Sequence, residues 1–454
     1  MNARRRIRRA WARARDLALR TPPSRNRYVD FLRAASIVVV VLGHWLMAAP
    51  TIDREAFTLS DMLYIAPWTQ WLTWIFQVMP LFFVVGGYAN AASWLSYRSE
   101  GEDYAAWVSR RLRRLVGPVI PVILAWCVLV PVGRWLGLNA RIVDVGSTLS
   151  LRPLWFLAVY VLVVVVAPFT HALWERYGIA SFWAFVLAAV AVEVISVLPG
   201  LGAARWLNYA FVWLAFHQLG CVWRYGGVSG PRRSLAVAAA SFVVLLALRA
   251  VAGYPVSMVT VPGDPATNTN PPSLALLALG ITHAGIVLAL EAPAKRWLEN
   301  LRVWIATIAV NAVIMTIYVW HVTVMVLLVA LLEGPGGAGL RLTPNSPEWW
   351  LTRPLWVAAL LVLLALAVAA FGRLEAIAPR SARRPVPGAG RSIAGALAVS
   401  AGLGWLSAEG AGATDGLALN VVPVACTLVG ALLILARGRR GAKGAGSHPE
   451  ARGG

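Results

Sequence analysis

Twelve apolar runs, each long enough to cross a hydrocarbon layer about 30 Å thick, govern what this chain can fold into. They fall at residues 34–50, 67–97, 115–137, 153–173, 179–199, 206–224, 234–252, 273–291, 303–332, 353–376, 392–408 and 417–436. With 59% of 454 residues hydrophobic and only 13% charged, the chain has far more apolar surface than a soluble fold can hide. The expected fold class is therefore all-α, a polytopic membrane helix bundle of about twelve spans. Twenty-two Trp fit this reading, because indoles gather where membrane meets water. The second run is too long for one straight span, and Pro80 with Gly86-Gly87 in its interior predicts a kink or break.

Charge gives the orientation. The net charge of +21 is not carried as a nucleic-acid-binding stripe, since the Arg residues lie between apolar runs and in the tails. Anionic membrane lipid is the expected counter-charge, and no nucleic acid partner is expected. Placing the amino terminus inside puts Arg98 to Arg114, Arg224 to Arg233, Lys295 to Arg302, Arg373 to Arg391 and the tail after Arg437 in the cytoplasm. Most of the 41 Lys and Arg then lie inside, and both termini of this multi-pass cell-membrane protein are cytoplasmic. Residues 1–32 form a basic segment expected on the inner leaflet, and the first apolar run reads as an anchor rather than a cleaved signal. The opposite side receives the acidic stretch around Asp53, Glu55 and Asp61 and the long loops Tyr254 to Pro272 and Glu333 to Thr352. Cys127, Cys221 and Cys426 lie in apolar segments without close Cys/His spacing and read as small hydrophobes.

Two polar residues stand out in Tyr28 to His44. Arg33 opens the first run and His44 interrupts it eleven positions later, which at about 100° per residue returns to one helix face, roughly 16 Å further along. An ionisable group at that depth is costly and marks a candidate functional site. An imidazole there can accept a proton from an alcohol, so His44 is the candidate general base. Asp30, one turn before Arg33, is placed to pair with it. Arg111 and Arg114 stand one turn apart at the inner entry to the third run, and Tyr318 and His321 share a face of the ninth. His217, His283 and Glu193 read as satisfied interior polar groups. No metal ligand set, nucleophile elbow or phosphate-cradling glycine loop is found. Lack of a covalent nucleophile favours transfer from a pre-activated donor.

Asp30-x-x-Arg33 followed by His44 resembles the signature of the acyltransferase 3 family of integral membrane O-acyltransferases. Pro80-Leu-Phe-Phe-Val-Val-Gly-Gly87, Arg111-Leu-Arg-Arg114-Leu-Val-Gly-Pro118, Leu154-Trp-Phe-Leu157 and Ile317-Tyr-Val-Trp-His321 are each similar to further family motifs, in the family's order. Gly86-Gly87 stands where the family usually has Ser-Gly. The resemblance implies a ten-helix acyltransferase core at 33–377, two additional transmembrane helices with their linker at 378–437, and a basic tail at 438–454. It implies an acyl-CoA-dependent O-acyltransferase that moves an acyl group, acetyl first, from cytoplasmic acyl-CoA to a hydroxyl of an extracytoplasmic carbohydrate or glycolipid. No tightly bound cofactor is implied. In that reading His44 and Arg33 are catalytic, Arg111 and Arg114 hold coenzyme A phosphates, and Asp30, Tyr318 and His321 support them. The rival reading is a transporter of a lipid-linked sugar or small organic anion, with His44 and Arg33 as a proton-coupled or anion-binding site. A membrane scaffold is the third.

Overall fold

A computed structural model describes residues 12, 15–22, 25–53, 56–138, 140–333, 337, 339–375, 387–412 and 419–436. Residues 1–11, 13–14 and 23–24 of the basic N-terminal segment, most of the linker and the tail expected at 438–454 lie outside the described residues.

The first helix, α1 (Arg27–Met47), runs unbroken through both Arg33 and His44. Its start is fixed by Asn26, whose side chain accepts a bond from the Tyr28 amide at 3.1 Å, and Asp30 in the first turn complements the helix dipole. At its far end the chain turns into an antiparallel hairpin, β1 (Ala48–Asp53) with β2 (Ala56–Asp61), in a register pairing Ala48 with Asp61. This hairpin occupies the acidic stretch and is the only sheet among the described residues. A short helix, α2 (Met62–Ile65), follows, then a 3-10 turn at Pro67–Leu72 and α3 (Thr73–Phe76).

The long second run does break, but earlier than expected. The interruption lies at Gln77 and Val78, and α4 (Met79–Ser99) then continues straight through Gly86-Gly87. Pro80 sits in the first turn of α4, where its missing N–H has no helical partner to lose. The glycines serve packing instead. A side chain at Gly87 would run into the backbone carbonyl of His217, and one at Gly86 would meet the Tyr160 ring at 2.8 Å. Two helices can approach this closely only where one lacks a Cβ.

The basic stretch expected as a connection is helical: α5 (Tyr104–Val116), capped by Asp103 accepting from the Ala106 amide at 2.8 Å. Val108, Leu112 and Val116 are buried, and Trp107, also buried, lies beneath the Arg111 guanidinium at 5.9 Å from its ring centroid. Then come α6 (Val119–Trp135), an unforeseen α7 (Ala140–Leu151), α8 (Leu154–Tyr177), α9 (Ala180–Ser196), α10 (Asn208–Arg224), α11 (Pro231–Val251), α12 (Leu274–Ala289) and α13 (Glu291–Trp297). The ninth run, expected as one span at 303–332, is two helices, α14 (Leu301–Ala312) and α15 (Ile314–Glu333). The chain ends with α16 (Pro347–Glu375), α17 (Ala389–Glu409) and α18 (Val421–Leu435).

Among the described residues, seven helical stretches are long and apolar enough to cross a membrane, or eight if the bent pair Leu274–Ala289 and Glu291–Trp297 is one span. Shorter apolar helices are α9, α14 and α18. The expected number of twelve is not confirmed: α9, α10 and α18 are unbroken helices of 17, 17 and 15 residues, and the run at 273–291 enters the bent pair α12 and α13. The bundle is nevertheless that of a multi-pass membrane protein.

Two faces can be told apart. On the basic face, Arg98 pairs with Glu175, Arg110 with Glu102 and Lys295 with Glu291. On the far face lie the hairpin, tied to Leu340 by the Ile52 amide, and the loop carrying Met258 and Asn268. Between them, Phe156 of the Leu154-Trp-Phe-Leu157 motif packs edge-on against Phe83 and Tyr318, joining α4, α8 and α15. The last two helices pack on each other, and α17 packs on α8, where Ser400 donates to the Ala158 carbonyl at 2.8 Å. Arg113 of α5 donates to the Ile434 carbonyl at 3.1 Å and Arg391 to that of Leu433 at 3.0 Å, so two guanidiniums cover the C-terminal carbonyls of α18.

Candidate active site

The histidines on α1 and α15 meet. His44 Nδ1 and His321 Nε2 are 2.9 Å apart, and the second ring nitrogen of His321, Nδ1, lies 2.5 Å from the Tyr318 carbonyl oxygen. A carbonyl can only accept, so His321 donates from Nδ1 and, as a neutral ring, presents a lone pair at Nε2. That lone pair takes the proton of His44 Nδ1. The Val40 carbonyl, one turn earlier, is a second acceptor beside the His44 ring. His44 Nε2 is thereby left with a free lone pair, the state a general base needs. His321 is fully buried, whereas His44 keeps part of its surface open.

The surrounding bonds hold both rings. Trp45 donates from Nε1 to the His321 carbonyl at 2.7 Å, and Trp356 donates to the Trp45 carbonyl at 3.2 Å. Tyr318 points its hydroxyl at the Pro153 carbonyl, so its phenol ties α15 to the α7–α8 junction and does not reach His44. Trp126 donates to Thr323 at 3.1 Å on the next turn of α15.

Towards the basic face the same side of α1 carries Arg33, with Val40 and His44 partly open and Ile37 buried between. Asp30 does not pair chiefly with Arg33. Its Oδ2 receives Arg25 Nε at 2.6 Å, while Arg33 Nη1 stands 4.0 Å from Oδ1. Arg25 lies just before the helix and folds back onto its first turn, which satisfies the carboxylate and leaves Arg33 loosely held. Arg114 is exposed, and around it Arg33, Arg111 and Arg25 act as like charges and Glu375 as the opposite one. Guanidiniums from α1 and α5 thus converge, an arrangement suited to a phosphate-bearing group.

Arg111 is aimed by a buried chain of bonds. Its Nη2 donates to Asn90 Oδ1; Asn90 Nδ2 lies 3.1 Å from His217 Nε2; His217 Nδ1 lies 3.3 Å from Thr170 Oγ1; and Thr170 donates to the Ala167 carbonyl at 2.9 Å. Each link has one consistent direction, ending on a carbonyl. His217 is therefore fully bonded. His283 reaches the Trp74 carbonyl at 2.8 Å, and Glu193 receives the Tyr254 hydroxyl and the Leu274 amide.

Asn90, Thr170, Arg25, Trp45 and Glu375 escaped the sequence reading. Asn90 and Glu375 carried a signal, being polar or charged within apolar runs. Glu375 accepts from the Met315 and Thr316 amides at 3.1 and 2.9 Å and so caps α15 where it restarts after the break.

The fold and site are those of a multi-pass membrane protein with a histidine pair in its interior and a converging set of arginines at one face. The chain belongs to the acyltransferase 3 family: the family's acyltransferase domain matches residues 26–372. It is accordingly an acyltransferase, and α17 and α18 lie beyond the matched region. No curated protein and no solved structure matches the chain.

Proposed function

We propose that this protein transfers an acyl group, acetyl first, from cytoplasmic acyl-CoA to a hydroxyl of an extracytoplasmic carbohydrate or glycolipid. The observation that carries the reading is the free Nε2 of His44, set by the bond from its Nδ1 to His321. In the proposed step the acceptor hydroxyl attacks the thioester carbonyl while His44 Nε2 takes its proton. The carbonyl carbon gains a C–O bond and loses its C–S bond, and the thiolate leaves as coenzyme A after taking that proton. His321 keeps His44 in the correct tautomer and accepts the stronger bond from the imidazolium.

Arg33, Arg111 and Arg114 hold the phosphates at the basic face, which the positive-inside rule makes cytoplasmic together with both termini. Roughly 16 Å separate Arg33 from His44 along one helix face, a span that an extended pantetheine arm can cover. Glu375 beside Arg114 limits the local excess of positive charge when the site is empty.

The test uses purified full-length protein in lipid discs with labelled acetyl-CoA, following acetyl transfer to envelope glycan acceptors and release of coenzyme A. Active parent protein and an inactive but folded His44→Ala protein are expected. Normal transfer by folded His44→Ala, or movement of an unmodified solute without coenzyme A release, defeats the reading.

A further inference from the structure

Among the described residues only two Asp, Glu, Lys or Arg side chains are buried, Asp30 and Arg353, each 7% exposed. Their circumstances are opposite. Asp30 has Arg25 and Arg33. Arg353 has no acidic partner among the described residues; its Nε donates to the Trp349 carbonyl at 3.3 Å, and its Nη1 is buried without any hydrogen-bond partner. The guanidinium lies 4.0 Å from the ring centroid of Trp349 and 5.0 Å from that of Trp356, between two indoles. Aromatic faces offset part of the loss of water but supply no acceptor in the plane of the fork. A buried, unpaired cation is among the costliest features a fold can carry, and one with an N–H aimed at nothing calls for a partner of opposite charge.

Its position says which partner. Arg353 sits one turn outside Trp356, on the far-face half of α16, and Trp356 bonds to the Trp45 carbonyl, next in sequence to His44. Ala49 of β1, Met62 and Ala66 cover Trp349 from the hairpin side. The arginines at the basic face lie at the other end of α1. We infer that Arg353 and its two tryptophans bind an anionic substituent, a carboxylate or phosphate, of the acceptor that approaches His44 from the far face. A planar guanidinium takes either group through two parallel bonds, and the indoles fix the plane of the fork. The direction of approach rests on the reading of His44 as the base; the anion site itself does not.

The experiment keeps the two apart. Full-length protein carrying Arg111→Ala and Arg114→Ala, which removes the competing cations of the basic face, is placed in uncharged phosphatidylcholine discs without any acyl donor. Its thermal midpoint is followed on titration with inorganic phosphate, glucuronate and glucose. A saturable rise with phosphate or glucuronate and none with glucose is expected. The two anion arms separate a phosphate-bearing from a carboxylate-bearing acceptor. Adding Arg353→Met is expected to abolish the rise, and adding Arg353→Lys, which keeps charge but loses the fork, to weaken it about tenfold. No rise with either anion, or an equal rise in the Met variant, overturns the assignment. Should the Met variant not fold, the Lys variant decides, because a response equal to that of its parent is incompatible with recognition by the guanidinium fork. Failure here leaves acyl transfer standing, and failure of acyl transfer leaves this result standing.

Discussion

The molecule buries histidines in two quite different ways, and the contrast separates a group that can react from one that can only hold. His217 has both ring nitrogens engaged, by Asn90 on one side and Thr170 on the other, and is 1% exposed. His44 spends only Nδ1, on His321, and keeps part of its surface open. Both are imidazoles inside apolar helices, so residue type and depth do not distinguish them. The count of ring nitrogens already committed does. A base with no free lone pair cannot take a proton from a substrate, whereas a ring fixed through one nitrogen offers the other in a defined direction.

The largest effect expected from breaking this contrast is at His44. Substitution by Ala is expected to lower kcat for acetyl transfer by about 10²- to 10⁴-fold, the usual range for losing a general base, with little change in KM for the donor. Initial rates at saturating donor check it. Next comes His321→Ala, which removes the acceptor that fixes the His44 tautomer but leaves the Val40 carbonyl beside the ring. The expected loss in kcat is on the order of 10- to 100-fold, smaller than that at His44. Loss equal to that of His44→Ala in a folded protein would mean that the two rings act as one unit rather than as base and holder.

A third substitution tests the other side of the contrast. His217→Ala removes the acceptor for Asn90 and the donor to Thr170, leaving buried groups unpaired at a cost of about 1–3 kcal/mol in stability. Asn90 then no longer aims Arg111. The expected kinetic result is a several-fold higher KM for the donor with kcat nearly unchanged. A drop in kcat with KM unmoved would place His217 in the chemistry and erase the distinction drawn above.

How much of this was readable in the chain follows from the range over which each interaction acts. The 3.6-residue period put Arg33 and His44 on one face, and α1 is an unbroken helix across both. The meeting of His44 with His321 joins residues 277 apart in sequence, and no local pattern announces it. Asp30 was matched to Arg33 because helical spacing favours such a pair, yet Arg25 wins by folding back from outside the helix at 2.6 Å. Asn90 is short and uncharged, and its importance comes from Arg111 and His217 on two other helices. Helix α7 was missed because residues 140–151 mix Arg, Asp, Ser and Thr with apolar residues and so never form an apolar run. The Gly86-Gly87 pair looked like a kink and proved to be a packing surface, since a glycine's missing side chain carries the same sequence signal for both.

The smallest expected effect concerns a control that any pH experiment on the two histidines needs. Asp61, at the end of β2 and outside the helices that span, accepts the Leu63 amide at 2.8 Å, but its surroundings push its carboxyl up from 3.8 to about 6. Burial is the main cause, with the Leu63 amide and the Arg152 charge opposing it. A carboxyl that is harder to ionise when folded favours the native state while protonated. Its contribution is complete below about 3.8, falls as pH rises, and is gone above about 6. Asp61→Asn is therefore expected to flatten the decline in thermal stability between those limits while leaving acetyl transfer at neutral pH unchanged. If the slope persists in the Asn variant, the decline comes from another acid held protonated in the fold, because a histidine buried as the neutral ring gives a slope of the opposite sign.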